Sequence, residues 1–290
     1  MSELVCVYHD RAIVGEGVFW SRTEKKVYWM DLEGERACCF DPRTSENVSV
    51  EVGQKIGTIV EVEGGGFVVA LKDGIYGLDF STGKLDKWCD PMEGDEQNRS
   101  NDGKAGPDGR LYVGGAGPRG GQSLYRIERD RTSYEVIETG VTCSNGLVWS
   151  LDNKTMYYID SPARVVWAYD FNLDTGSISN RRVVVDVTSE ACVPDGMTID
   201  AQGMVWVAFW EGGCVRRYNP NTGDELQRIE LPVSRVTSCA FGGEALEKLY
   251  ITTASVGFED ADWEREPLAG GLFVCKPGVK GVPSFAFRKE

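Results

Sequence analysis

The sequence is poor in the residues that most often carry out hydrolytic chemistry. Its 290 residues contain one histidine, His9, which lies in the first strand-like segment, where we expect a structural role. A single histidine excludes HExxH zinc sites and paired-histidine chemistry, and it disfavours serine or cysteine triads, which need a histidine base.

The cysteine pattern and the lack of long apolar runs also exclude several classes of protein. The nine cysteines are odd in number and form no CxxC pair, so we expect reduced thiols within the core rather than disulfides. The start, Met1-Ser2-Glu3-Leu4, lacks the basic residues and apolar core of a signal peptide. No apolar run approaches the roughly 18 residues of a membrane span. These features predict a cytoplasmic protein.

Positive charge is scarce. The chain has 31 Lys and Arg against 45 Asp and Glu, a formal net charge of −14, with the acidic residues scattered along it. Nucleic acid and anionic membranes are poor partners for such a chain, because binding to phosphate needs a basic face. We expect a monomer that binds a small-molecule substrate and is compatible with cations.

A strand motif rich in β-branched and aromatic residues recurs six times, with steps of 40, 44, 45, 49 and 44 residues. A repeat of this length is typical of a β-propeller. The copies begin at Val27, Phe67, Leu111, Met156, Val205 and Leu249.

Each motif is followed by further strand-like segments and tight turns, which indicates four antiparallel strands per repeat. Residues 1–290 are thus predicted to form a single domain, an all-β six-bladed propeller. We expect Leu4 to Tyr8 to pair with a strand near Phe285 to Phe287, so that the chain ends close the ring. The longest insertion, Gly257 to Glu266, is expected to contain a helical turn.

Four polar residues share one position in the repeat. Glu16 and Asn145 lie eleven residues before their strand motifs, and Asn101 and Asp195 lie ten before theirs. Equivalent positions of successive blades meet around the central channel, so these residues are predicted to converge. Carboxylate and amide oxygens suit Ca²⁺ best, then Mg²⁺ or Mn²⁺, with Zn²⁺ less typical.

The alternative is that these are ordinary turn residues, since Asn-Gly and Asp-Gly are common turn pairs. Independent turns would not need to share a register, which favours a common site. Arg99 and Asp102, beside Asn101, are candidates for ligand contacts. The tryptophans at positions 20, 149, 206 and 210 are expected to pack between blades rather than to form a sugar-stacking platform.

Several motifs then resemble those of one family. They are GEGxxW from Gly15, NDGK from Asn101, SNGLxWS from Ser144, PDGM from Pro194 and TSCxFGG from Thr237. In this order they are similar to the gluconolactonase family, which includes regucalcin (senescence marker protein) and luciferin-regenerating enzyme. The resemblance covers essentially the whole chain. It implies a six-bladed propeller with one divalent cation in its channel and hydrolysis of sugar lactones.

The resemblance also implies roles for individual residues. Glu16, Asn145 and Asp195 look like the metal ligands, and Asp195 also looks like the catalytic group that takes a proton from water. Arg99, Asn101 and Asp102 look like substrate contacts, with Asn101 close to the metal. Two departures stand out: Val18 replaces a proline that is usual in the first motif, and the loop from Gly114 to Gln122 lacks the acidic sugar contact of regucalcin.

The resulting hypothesis is a metal-dependent lactonase, in which the cation polarises the lactone carbonyl for attack by water. Two alternatives remain open at this point. One is hydrolysis of phosphotriesters at the same site, and the other is a non-catalytic calcium-binding regulatory protein. A rigid channel without an EF-hand loop argues against a calcium sensor with a large conformational switch.

Overall fold

The computed structural model of the protein describes residues 3–94 and 97–290. Its strands form six four-stranded antiparallel sheets, the blades, which confirms the six-bladed propeller. The chain opens with β1 (Val5–His9). Blade 1 then comprises β2 (Gly15–Ser21), β3 (Lys26–Asp31), β4 (Arg36–Asp41) and β5 (Glu46–Glu51). Blade 2 comprises β6 (Ile56–Glu61), β7 (Phe67–Leu71), β8 (Gly74–Asp79) and β9 (Lys84–Cys89).

The next three blades repeat this order. Blade 3 comprises β10 (Arg99–Ala105), β11 (Leu111–Ala116), β12 (Gln122–Ile127) and β13 (Tyr134–Val141). Blade 4 comprises β14 (Ser144–Trp149), β15 (Thr155–Asp160), β16 (Val165–Phe171) and β17 (Ile178–Asp186), with a 3₁₀ turn at Ser161–Ala163. Blade 5 comprises β18 (Val193–Ile199), β19 (Val205–Trp210), β20 (Cys214–Tyr218) and β21 (Glu225–Glu230).

Blade 6 is built from both ends of the sequence. It comprises β22 (Val236–Gly242), β23 (Lys248–Thr253) and β24 (Gly271–Cys275), and β1 forms its outer strand. Between β23 and β24, the expected helical turn is the short helix α1 (Asp260–Arg265). None of the helices in the described residues is long and apolar enough to span a membrane.

The expected closure by β1 is confirmed, but its expected partner near residue 285 was wrong. β1 pairs with β24, with Val5 opposite Val274 and His9 opposite Gly271. Phe287 instead forms a parallel bridge to Val62 of blade 2. The reason is that β24 supplies a full strand of backbone donors and acceptors beside β23, whereas residues 276–290 form only isolated bridges.

The hydrophobic core lies between the blades. In β3, Val27 and Trp29 pack towards blade 6, whereas Tyr28 and Met30 pack towards blade 2. This follows from the period of two in a strand, which turns successive side chains to opposite faces. Six such clusters, one between each pair of neighbouring blades, bury both faces of the sheets.

The first strands of the six blades line the channel, since each contacts the first strands of both neighbouring blades. The C-terminal segment crosses the end of the channel at which these strands finish. There the N–H of Gly281 donates to the Leu246 carbonyl, that of Phe287 to the Glu61 carbonyl, and that of Arg288 to the Gly109 carbonyl. The other end, where the first strands begin, is the end that carries the predicted site residues.

Candidate metal and substrate site

Every first strand is interrupted by a bulge; Asn101, Asn145 and Asp195 lie within theirs, and Glu16 directly precedes its own. The register with the second strand shifts between Glu16 and Phe19 in β2, and the corresponding shifts in β10, β14 and β18 fall at Asn101-Asp102, Asn145-Gly146 and Asp195-Gly196. A bulge leaves residues unpaired and re-aims their side chains. The shared sequence register thus corresponds to a shared backbone irregularity.

The glycines after Asn145 and Asp195 have a different role from the one that the turn alternative assigns to them. Gly146 and Gly196 lie within strands and do not have positive φ. A Cβ at Gly146 would lie 2.6 Å from the Met197 backbone nitrogen and 2.7 Å from the Asp195 carbonyl oxygen. Glycine is needed here because the first strands of blades 4 and 5 approach each other closely. By contrast, Gly109, which follows Asp108, has φ +80° in a turn, the role that the turn alternative assigns to such a glycine.

Glu16, Asn101, Asn145 and Asp195 line one cavity of about 780 Å³, together with Arg99. Each of these four side chains is at most 8% exposed, although they come from four different blades. The blades without a carboxylate or amide present Gly57 and Thr237 at their bulges. The side chains that the repeat register groups together are therefore brought together by the fold.

Hydrogen bonds orient the two amides. Asn145 Nδ2 donates to Ser161 Oγ at 2.7 Å, which leaves Asn145 Oδ1 facing Asn101, whose Nδ2 lies 3.2 Å away. Asn101 Nδ2 also donates to the Ser144 carbonyl at 2.6 Å, and Asn101 Oδ1 accepts a hydrogen bond from Arg99. Asn101 thus links the Arg99 guanidinium to the Asn145 amide.

The buried carboxylates repel one another. Burial, followed by the negative charge of Asp102, raises the pKa of Glu16 to about 8. Burial and the charges of Glu16 and Asp102 raise the pKa of Asp195 well above its usual range, and Arg99 opposes this only partly. Asp195 Oδ1 is buried without a hydrogen-bond partner among the described residues. The site therefore has an excess of negative charge and an unsatisfied oxygen.

These features fit a divalent cation held by hard oxygen ligands. In residues 3–94 and 97–290, no group of three or more histidine, cysteine, aspartate or glutamate side chains is placed to hold a metal ion. A cation in this cavity would consequently need amide oxygen in addition to the two carboxylates. Asn145 Oδ1 is the more available amide oxygen, since it accepts only a long hydrogen bond of 3.2 Å from Asn101 Nδ2, whereas Asn101 Oδ1 accepts one from the charged Arg99 guanidinium.

Asp102 is the second residue of the β10 bulge, after Asn101. It lines a second cavity in the far half of the channel, not the cavity of Glu16 and Asp195. Burial raises the pKa of Asp102, and the ammonium of Lys104 opposes the rise. Although Asp102 lines the other cavity, its negative charge raises the pKa of both Glu16 and Asp195.

Sequence reasoning missed several residues of this site, among them Ser161, Cys143 and Trp210. Ser161 Oγ accepts from Asn145 and donates to the Pro194 carbonyl at 2.6 Å, so it ties together the backbones of blades 4 and 5. Cys143 and Trp210 line the cavity, whereas Trp210 was expected to pack between blades. Trp20, Trp149 and Trp206 do pack between blades, as expected. Only the position of Ser161 beside the fourth strand motif could have drawn attention to it.

Comparison with known proteins gives one consistent family. The profile described as "SMP-30/Gluconolactonase/LRE-like region" matches residues 14–255. Regucalcin of Xenopus laevis is 36% identical over 295 residues, covering 98% of each chain. A Bacillus subtilis protein named as a candidate sugar lactone lactonase is 36% identical over 280 residues, covering 96% of each chain. The solved structure of a luciferin-regenerating enzyme superposes with a TM-score of 0.91 at 29% identity, covering 99% of this chain and 100% of that one.

Proposed function

We propose that this chain, which belongs to the SMP-30/gluconolactonase/LRE-like family, is a divalent-metal-dependent hydrolase that opens sugar lactones. The observation that carries the proposal is the cavity itself. Carboxylates and amides from four blades surround it, and Asp195 Oδ1 is buried there without a hydrogen-bond partner among the residues that the structure describes. The name of the Bacillus subtilis relative supports a lactone as the substrate class.

Glu16, Asn145 and Asp195 are the proposed ligands, and Ca²⁺ is the proposed ion, with Mg²⁺, Mn²⁺ and Zn²⁺ as alternatives. Two carboxylates and an amide are the ligand types that calcium prefers. A bound divalent cation would supply Lewis acidity, polarising the lactone carbonyl and stabilising the oxyanion that forms on attack by water.

Asp195 is the proposed proton acceptor. Its Oδ1 makes no hydrogen bond within the described chain, so this oxygen is available to accept a proton from the attacking water. A carboxylate that also binds a cation is a weak base, because the positive charge favours its ionised form. Lactones are activated esters, for which a weak base suffices.

Arg99 is the proposed substrate-orienting residue. Its Nη1 donates to the Ser100 carbonyl at 3.0 Å and to Asn101 Oδ1, which fixes the guanidinium at the wall of the cavity. A guanidinium has five N–H donors, so others are left for the hydroxyl or carbonyl oxygens of a sugar lactone. Asn101 would position Arg99 by accepting its hydrogen bond. Asp102 would influence the site through its negative charge, which raises the pKa of Glu16 and Asp195.

The test is a side-by-side assay of gluconolactone and a nitrophenyl phosphotriester, each with added calcium and after chelation. Lactone opening releases a proton, so a pH indicator follows it once the uncatalysed rate has been subtracted. We expect lactone hydrolysis that stops on chelation and returns with calcium. Glu16→Gln should abolish it, whereas Glu61→Gln, a carboxylate in the far cavity, should leave it largely intact.

Two results would contradict the proposal. Phosphotriester hydrolysis without lactone hydrolysis would assign the site to the other reaction class. Calcium binding without either activity, across a panel of aldonolactones, would identify a non-catalytic calcium-binding protein.

A further inference from the structure

A second arginine lines the cavity of the candidate metal site, and the proposed reaction gives it no role. Arg164 follows the 3₁₀ turn after β15, where its backbone N–H donates to the Ser161 carbonyl at 3.1 Å. Ser161 is the residue whose hydroxyl orients the Asn145 amide. Arg164 therefore lies one short turn from a residue that positions a proposed metal ligand, and it lines the same cavity.

The side chain of Arg164 is anchored, yet most of its donors are unused. Its Nη1 donates to the Glu190 carbonyl at 2.8 Å, and this is the one hydrogen bond that the guanidinium makes in the described residues. Its Nε and Nη2 have no partner there and are accessible to water. The Glu190 carboxylate does not neutralise Arg164, because it pairs with Arg216 at 2.7 Å. A guanidinium has five N–H donors, so several remain for a ligand.

The charges that line the cavity do not cancel once a divalent cation is bound. The charged lining residues are Glu16, Glu33, Arg99, Arg164 and Asp195. The cation offsets the two carboxylates of its ligands, and Glu33 forms an ion pair with Lys55 at 2.7 Å. Neither Arg99 nor Arg164 forms an ion pair in the part of the chain that the structure describes. The cavity with its cation therefore has two uncompensated positive charges.

A neutral sugar lactone would leave this positive charge unmatched. Its hydroxyl and carbonyl oxygens accept hydrogen bonds from Arg99, as proposed above, but they carry no charge. Guanidinium groups form their strongest contacts with carboxylates and phosphates, which they can bind through two parallel hydrogen bonds. An anionic group on the substrate would thus gain a charged contact with Arg164 that a hydroxyl does not offer.

We propose that the substrates of this site are sugar lactones with an anionic group remote from the lactone carbonyl, and that Arg164 binds this group. The group is the second carboxylate of an aldaric acid lactone or the phosphate of a phosphorylated aldonolactone, since a guanidinium recognises both. This inference rests on the proposed lactone hydrolysis and names its substrate class. Arg164 determines specificity, whereas Arg99 orients the lactone itself.

Matched pairs of lactones test the specificity. With calcium, kcat/KM is measured for D-glucono-δ-lactone against its 6-phosphate, and for D-glucono-γ-lactone against D-glucaro-γ-lactone. We expect one anionic lactone to be preferred about ten- to a hundredfold, the effect of a charged hydrogen bond, and the preferred one identifies the group. Arg164→Gln should remove the preference, and Arg164→Lys should retain part of it. Arg182→Gln is the control and should keep it, since Arg182 is an exposed arginine of the same blade that pairs with Asp170.

Binding of the ring-opened acids separates this inference from the proposed reaction. Titration calorimetry at constant free calcium compares D-gluconate with D-glucarate and with 6-phospho-D-gluconate. We expect one of the two acids with a second anionic group to bind wild type about ten- to a hundredfold more tightly than D-gluconate, and Arg164→Gln to lose this difference.

The outcomes are distinguishable. If no lactone is hydrolysed but this difference in binding is found, the proposed reaction is wrong and the anion-binding role of Arg164 is supported. Equal rates within both pairs together with equal binding of the three acids by wild type would overturn the inference. A preference that survives in Arg164→Gln, shown by circular dichroism and calcium binding to be folded, would also overturn it. The comparison within wild type stands even if the variants do not fold.

Discussion

Replacing Ser161 by alanine should weaken calcium binding although Ser161 is not a proposed ligand. The Ser161 hydroxyl is buried and makes two hydrogen bonds, from Asn145 Nδ2 at 2.7 Å and to the Pro194 carbonyl at 2.6 Å. It therefore fixes which way the Asn145 amide points and holds the backbone next to Asp195. Without it, the partner left for Asn145 Nδ2 in the described part of the chain is a distant sulfur, Cys143 Sγ at 3.8 Å.

The size of the effect follows from these contacts. Two buried hydrogen bonds at about 0.5–1.5 kcal/mol each predict a loss of about 1–3 kcal/mol in the free energy of unfolding. Removing a residue that orients a metal ligand typically lowers metal affinity about 10- to 100-fold. We expect the lower end, near tenfold, because Asn101 still holds the Asn145 amide from the other side.

Titration calorimetry with calcium measures the affinity, and chemical denaturation of the metal-free protein measures the stability. Ser100→Ala is the matched control, since its buried hydroxyl donates to the Leu71 carbonyl at 3.0 Å and touches no ligand amide. It should lose stability and keep its calcium affinity. Wild-type affinity in Ser161→Ala, or an equal loss of affinity in Ser100→Ala, would refute the reasoning.

Three further predictions follow from the site. Arg99→Ala should lower kcat/KM for a lactone about ten- to a hundredfold, as expected for a lost charged contact, and leave calcium affinity nearly intact. A defect that more calcium cures would contradict the substrate-orienting role of Arg99. Gly146→Ala should lower the free energy of unfolding by several kcal/mol, measured by thermal unfolding, because its methyl group would lie 2.6 Å from a backbone nitrogen. Gly121→Ala is the control: no atom lies closer than 3.2 Å to its added methyl group, so it should have little effect. Burial and Asp102 raise the pKa of Glu16 from 4.5 to about 8, so folded metal-free protein holds a proton that the unfolded chain has released. The contribution of Glu16 to the stability of the metal-free protein is therefore complete below about pH 4.5 and is lost as the pH rises to about 8. Calcium affinity should rise over the same pH range, because the ion binds the ionised carboxylate. A calcium affinity that does not change between pH 6 and 8 would contradict the assignment of Glu16 as a ligand.

The sequence predicts the blades and the channel-lining candidates because both depend on a local repeat. Each strand motif is the second strand of its blade, and in blades 3, 4 and 5 counting back ten or eleven residues reaches the bulge of the first strand. The partner of β1 could not be read in this way, because residues 285–287 and β24 offer similar apolar patterns. Only the packing of blade 6 decides between them.

Contacts between blades were also beyond the sequence. Gly146 follows an asparagine, as a turn glycine would, yet it is required by the neighbouring backbone of blade 5. Ser161 and Trp210 are sixteen and fifteen residues from the ligand candidates of their own blades, and no pattern links them. Asp102 and Asn101 are adjacent in the chain, but the bulge sends them to different cavities.

The most direct test of the account compares the initial rate of lactone hydrolysis with calcium binding over the same range of free calcium. We predict one bound ion per chain, half-maximal activity at the calorimetric Kd, and loss of both binding and activity in Glu16→Gln and Asp195→Asn. Hydrolysis that survives exhaustive chelation, or wild-type calcium affinity in both variants, would contradict it.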